Sequence, residues 1–226
     1  MVQVGDFGVW PGEEGAAYLD AVQASCESTG TLLLFLDGNH DDLDQLSAAP
    51  RQDSGVAQVR PRIWHLPRAL RWTWHGLRFS ALGGATSLDV RDRTPHASWW
   101  PQEALRPHQH EQLRLGGDLD ILLTHDAPAG SQVPGLSDGW PPAALEHANT
   151  HRERLQESVQ AVRPKLVVHG HLHVRYTDRL ASGTVVEGLD CDGSTYSKSV
   201  LVLDLLNAAA VLDPISLPHP SSALPR

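Results

Sequence analysis

What is scarce in this sequence narrows its function before any motif is read. Only two cysteines, Cys26 and Cys191, occur among 226 residues, and they lie far apart. That excludes a disulfide framework and suits a reducing compartment, so a cytoplasmic protein is expected. Long apolar runs are missing too. The longest, residues 31–36, is far too short to cross a bilayer, so no membrane association is expected. Met1 is followed at once by polar and glycine residues, and no signal peptide is expected. Positive charge is in deficit: 18 Lys and Arg stand against 27 Asp and Glu, a net charge of -9 and a pI of about 5.7. A protein that grips a nucleic-acid duplex carries a basic stripe, so no duplex partner is expected. Any phosphate handled here has to be drawn by a local positive centre, with a bound metal the foremost candidate. Internal repeats are absent.

What is present reads as one α/β domain over residues 1–213, followed by a loose Pro- and Ser-rich tail over 214–226. Apolar stretches at 1–4, 31–36, 120–124 and 166–168 predict buried strands of a mostly parallel sheet. Short strands are predicted over 62–66, 70–75 and 77–82, and late antiparallel ones over 184–189 and 198–205. Helical spacing predicts helices over 14–29 and 142–162, and a third over 101–115 with Pro101 at its first position and a kink at Pro107. Oligomeric state has no signature.

The functional signal sits where the apolar strands stop. Four of them finish in residues able to bind metal: Asp6, Asn39 with His40, His125, and His171 with His173. Ligands in parallel α/β sheets bind beyond the carboxyl ends of the strands, so these residues are expected to gather at one edge. A carboxylate, an amide oxygen and several imidazoles suit manganese, iron or zinc better than calcium. Asp6 has two oxygens and can bridge two ions, and His171 and His173 can point at adjacent ones. Two such ions can polarise a phosphoryl group and generate hydroxide for in-line attack. His40 then needs no metal and can serve the leaving oxygen as general acid.

Taken together, Gly5-Asp6, Gly38-Asn39-His40-Asp41, Thr124-His125 and Gly170-His171-Leu172-His173 resemble the ordered signature of the calcineurin-like metallophosphoesterases. The resemblance implies an αββα sandwich and two divalent cations, manganese foremost with iron or zinc possible. It implies that Asp6 bridges, that Asn39, His125 and His171 complete the second metal site, and that His173 belongs to the first. A hydroxide between the metals would attack phosphorus, with His40 assisting the leaving group and Asp41 orienting His40. The short form, with Gly-Gly-Ala-Thr-Ser from Gly83 and Trp99-Trp100-Pro101, resembles small bacterial and phage members that favour phosphodiesters. The expected substrate is therefore a small phosphate ester, a nucleotide among the candidates.

One element of the family pattern has no counterpart. Members open with a strand ending in Asp-x-His, and no such strand and helix precede Gly5-Asp6 here. A misassigned or trimmed start is one explanation, favoured because losing a buried central strand exceeds a typical stability of ~5–15 kcal/mol. The other is a shortened, metal-depleted member that acts as a binding or regulatory protein. On either, this chain is expected to hold one ion or none.

Other features read more plainly. Arg91 and Arg93 could reach a substrate phosphate from the loop after Gly84, or form a salt-bridged exposed loop. Trp99 and Trp100 suit core and lid packing more than base stacking. His169 is expected to pack or hydrogen-bond at a strand end. His147 and His151 read as a solvated helix face, lacking the glutamate of a zinc-protease helix. His108 and His110 read as exposed. Gly135-Leu136-Ser137-Asp138-Gly139 matches a nucleophile elbow by letters only, since no strand precedes it.

Overall fold

A computed structural model of the chain describes residues 1–136 and 140–206. Two sheets face each other. The first runs in the order β1 (Val2–Val4), β2 (Leu33–Leu36), β4 (Ile63–His65), β3 (Ala57–Arg60). The second runs β5 (Arg71–Trp74), β6 (Leu77–Leu82), β7 (Ile121–Thr124), β8 (Leu166–His169), β10 (Val185–Gly188), β9 (Tyr176–Arg179). β1, β2 and β4 are parallel, as are β6, β7, β8 and β10, whereas β3, β5 and β9 pair antiparallel with their neighbours.

The alternation of side chains along each strand explains why central strands such as β2 are apolar throughout. In β2, Leu33 and Phe35 pack outward with Leu19 and Cys26 of α1 (Gly12–Thr29), Leu43 and Leu46 of α2 (Leu43–Ala48), and Trp100. Leu34 and Leu36 turn inward to Trp72, Phe79, Ile121, Leu123 and Val168 of the other sheet. On that sheet Leu122 and Val167 face outward to Leu113 of α3 (Pro107–Leu115) and Leu155, Val159 and Val162 of α4 (Pro142–Val162). The central strands are covered on both faces, so their positions are mostly apolar, and the buried polar exceptions such as Ser80 and Thr124 have hydrogen-bond partners. Each such leucine or phenylalanine contributes on the order of 1.5–3 kcal/mol. The αββα sandwich that the resemblance implies is present.

The structure corrects several local expectations. Residues 101–106 are not helical: α3 starts at Pro107, which takes the first-turn position expected of Pro101. Residues 198–205 form no strand. Tyr196–Ser199 is a short helix, α5, and Val200, Val202 and Leu203 are exposed. The late strand β10 is parallel to β8, and its antiparallel partner is β9, which the sequence had not suggested. Asp42 starts α2, also unforeseen, by accepting the N–H groups of Asp44 and Gln45. Ser137, Asp138 and Gly139, the core of the elbow-like pattern, lie outside the described residues, as does the tail over 214–226. Among the described residues, no helix is long and apolar enough to cross a membrane.

Candidate metal centre

Loops leaving β1 and β2 on one sheet and β7 and β8 on the other meet at one end of the sandwich. The expected single edge is thus two edges, one from each sheet. Asp6, His125 and His171 each present a ligand atom there, all within 4.8 Å of one another. Asn39 Oδ1 lies 3.2 Å from His125 Nε2, and an Asp6 oxygen lies 3.2 Å from the same nitrogen.

The glycines of the motifs are required by this crowding. A Cβ on Gly5, whose φ is +99°, would run into the His125 ring, and one on Gly38 would run into the Asp6 carboxylate. Asp6, His171 and His173 have φ of 56°, 65° and 50°, a left-handed region rarely adopted by residues with side chains. Strain of this kind gathers at functional sites.

Each ligand atom is aimed by a second contact. His125 is buried, and its Nδ1–H donates to the Val4 carbonyl at 2.7 Å, which turns Nε2 toward the centre. Asn39 donates its Nδ2 to Ser87 Oγ at 3.0 Å, so Oδ1 faces the centre. One Asp6 oxygen accepts the backbone N–H of His40 at 2.8 Å. The acceptor oxygens of Asp6 and Asn39 therefore converge on Nε2, and a positive charge there, proton or cation, is what holds them together. Burial disfavours charge on His125, but the Asp6 carboxylate and the Val4 carbonyl raise its pKa to about 9. Burial likewise opposes charge on Asp6, yet the His125 ring holds its carboxyl well below the usual range. Burial pushes His171 down to about 4, so it offers a neutral imidazole. Such a site requires a positive charge, and the two 3.2 Å separations at His125 Nε2 are close to the roughly 3 Å edges expected around a cation with bonds of about 2.1 Å. The residues fit a divalent ion.

The other predicted residues fall into place unevenly. His173 is exposed and borders the cleft but stands outside the tight cluster. Asp41 does not touch His40. Its buried carboxylate accepts the N–H groups of Phe7, Gly8, Val9 and Gly38, locking the loop after β1 to the loop after β2. His40 meets Arg93 instead, with ring nitrogens 2.8 and 2.6 Å from the guanidinium. Arginine only donates, so one ring nitrogen accepts while the other carries the N–H of a neutral imidazole, and burial together with Arg93 lowers its pKa. Arg93 is steadied by Asp89 at 2.7 Å, whereas Arg91 is exposed and does not border the cleft.

The cleft has a volume of about 300 Å³. Its lining combines the polar Asp6, Asn39, His40, Arg93, His171 and His173 with the apolar Leu88, Val133, Pro134, Leu136, Trp140 and Leu172. Trp140 had no sequence signal. Trp100, by contrast, is buried at 1% exposure and unavailable for stacking. A second groove of about 290 Å³ lies over Asp37, His65 and Arg68, away from the converged atoms. Asp37 is engaged there by Arg68 and His65 and is no ligand. His169 bonds Tyr176 Oη at 2.7 Å, as expected of a strand-end histidine. His147 is exposed as read, but His151 is buried and bonds Asp126 at 2.9 Å behind the centre. His110 is likewise buried, against Ser158, while His108 is exposed.

Comparison with known proteins adds the following. Several solved structures match, among them a Staphylococcus aureus protein provisionally described as a 5'-nucleotidase in complex with alpha-ketoglutarate. It is 13% identical with a TM-score of 0.40, over 84% of this chain and 39% of its own length. This chain therefore spans well under half of that protein. No curated protein matches. The family model described as calcineurin-like phosphoesterase matches residues 2–175, which include every converging residue, and the chain belongs to that family.

Proposed function

We propose that this protein hydrolyses phosphate esters, phosphodiesters in preference, using a divalent cation held by Asp6, Asn39, His125 and His171. The observation that carries the proposal is the convergence of these four side chains from four strand ends of two sheets. Manganese is the metal of choice for this mixed oxygen and nitrogen set, with iron and zinc as alternatives. When bound, such an ion supplies Lewis acidity toward a phosphoryl oxygen and lowers the pKa of a coordinated water.

The rest of the chemistry falls to the chain. Arg93, held by Asp89, presents a planar cation to a phosphoryl oxygen at the cleft wall. One fixed cation in a cleft with much apolar lining suits a singly charged diester with organic groups on both sides. His40 lines the same cleft, where the N–H of its neutral ring can donate to the leaving oxygen. Asp41 acts at a distance by fixing the loop that carries His40. A nucleotide is one ester whose base the apolar lining around Trp140 could seat. The scarcity of cysteine supports a cytoplasmic setting.

The test is hydrolysis of bis-p-nitrophenyl phosphate with added Mn(II). Asn39→Ala and His171→Ala should each abolish it, and turnover surviving in both variants would contradict the assignment. The exposed position of His173, outside the cluster, favours a second reading in which one ion is held for binding alone. A chain that binds Mn(II) and the diester without turnover would establish that reading.

A further inference from the structure

We infer that Glu103 is a positioning residue that decides, through Ser87, which end of the Asn39 amide faces the metal centre. The inference rests on the reading of Asn39 as a ligand. An asparagine presents an oxygen at one end of its amide and an NH2 at the other, and the two have nearly the same shape. Only the oxygen can bind a cation. Something has to enforce the choice.

The enforcing contacts are buried and directional. Asn39, Ser87 and Glu103 are 1%, 2% and 3% exposed. Glu103 accepts the backbone N–H of Ser87 at 2.9 Å through one carboxylate oxygen and the Ser87 hydroxyl through the other. A hydroxyl has a single proton. Once that proton is given to Glu103, Ser87 Oγ can only accept, and the Asn39 atom 3.0 Å away must be Nδ2. Oδ1 is thereby turned to the centre, 3.2 Å from His125 Nε2. Glu103 is itself fixed: its carbonyl accepts Arg68 Nη2 at 2.9 Å, and Arg68 Nη1 grips the carbonyls of Gln102 and Ala104 on either side.

Glu103→Gln keeps the shape and reverses the polarity. The glutamine oxygen can still accept the Ser87 N–H, but its NH2 now donates to Ser87 Oγ. The freed hydroxyl proton turns toward Asn39 and draws Oδ1 away from the centre, leaving an NH2 there. Mn(II) affinity of the 226-residue chain can be followed through the EPR signal of free Mn(II). The dissociation constant should rise about 10–100-fold in E103Q, as for other partners of metal ligands. In Ser87→Ala nothing dictates the flip, so the rise should be smaller than in E103Q. The double variant E103Q/S87A should recover to the S87A value, because the transmitting hydroxyl is gone, while its melting temperature does not recover. Should E103Q fail to fold, Glu103→Ala also releases the hydroxyl proton and takes its place in the same cycle. E103Q binding as tightly as wild type, or a double variant as weak as E103Q, would overturn the relay. A wild-type chain that binds no Mn(II) would overturn the metal reading and the relay with it.

Discussion

Asp41 illustrates how much a single buried side chain can organise. Four backbone N–H groups point at one carboxylate, and they belong to two loops that the chain separates by about thirty residues. Burial and the nearby Asp6 raise its pKa, and the N–H groups counter that. Asp41→Asn sets an amide NH2 against a ring of donors. It should destabilise the protein by about 2–3 kcal/mol, the cost of unsatisfied buried groups, as read by urea denaturation. A variant within a few tenths of wild type would remove Asp41 from this role. The sequence marked Asp41 as interesting but gave the wrong partner, because backbone amides carry no letter. His110 and His151 were misread for a related reason. A histidine in a polar helical stretch reads as solvated, and only the packing of α3 on α4 reveals its burial. The histidines at the strand ends were legible because each follows an apolar run, and Gly5 and Gly38, which the crowding demands, stand in the same blocks.

At the level of elements, the packing of α3 against α4 has a pH dependence of known sign. Burial pushes His110 down to about 4 from the ordinary 6.5. The unfolded chain therefore takes up this proton first as the medium is acidified. The contribution of neutral His110 is complete above pH ~6.5 and is lost as pH falls toward 4, amounting to on the order of 1–2 kcal/mol once solvent screening is allowed for. His110→Gln should flatten the acid side of the stability profile by about that amount; an unchanged slope in urea midpoints between pH 7 and 4.5 would count against it. Central strands such as β2 were legible because burial on both faces makes them apolar throughout. β9 was not: its sequence is YTDR and only Tyr176 is buried, as an edge strand allows. The stretch after Ser199 has the opposite character, apolar letters without a pairing partner among the described residues. Two prolines compete for the start of α3, and Pro107 prevails because its helix buries His110 and Leu113.

On the scale of the whole molecule, the donor set is divided between the two sheets, Asp6 and Asn39 on one and His125 and His171 on the other. An ion bound there is bound only by the assembled sandwich. Mn(II) at a hundredfold excess over its Kd should stabilise the fold by ~2.7 kcal/mol. For a chain of this size that is a rise in Tm of about 5–10 °C. His171→Ala should abolish the rise while leaving the metal-free melting temperature close to that of wild type. A rise of equal size in that variant would place the ion elsewhere.

The bond from His125 to the Val4 carbonyl ties a ligand on one sheet to the backbone of the other. This makes the centre a gauge of alignment between the two halves. A substitution deep in the interface, at Phe79 or Leu34, that slid one layer over its neighbour by a fraction of an ångström would pull the imidazole off its mark. Grip on the cation would then slacken while spectroscopic measures of folding still looked normal, so metal titration could serve as a fine vernier for the interior of this protein.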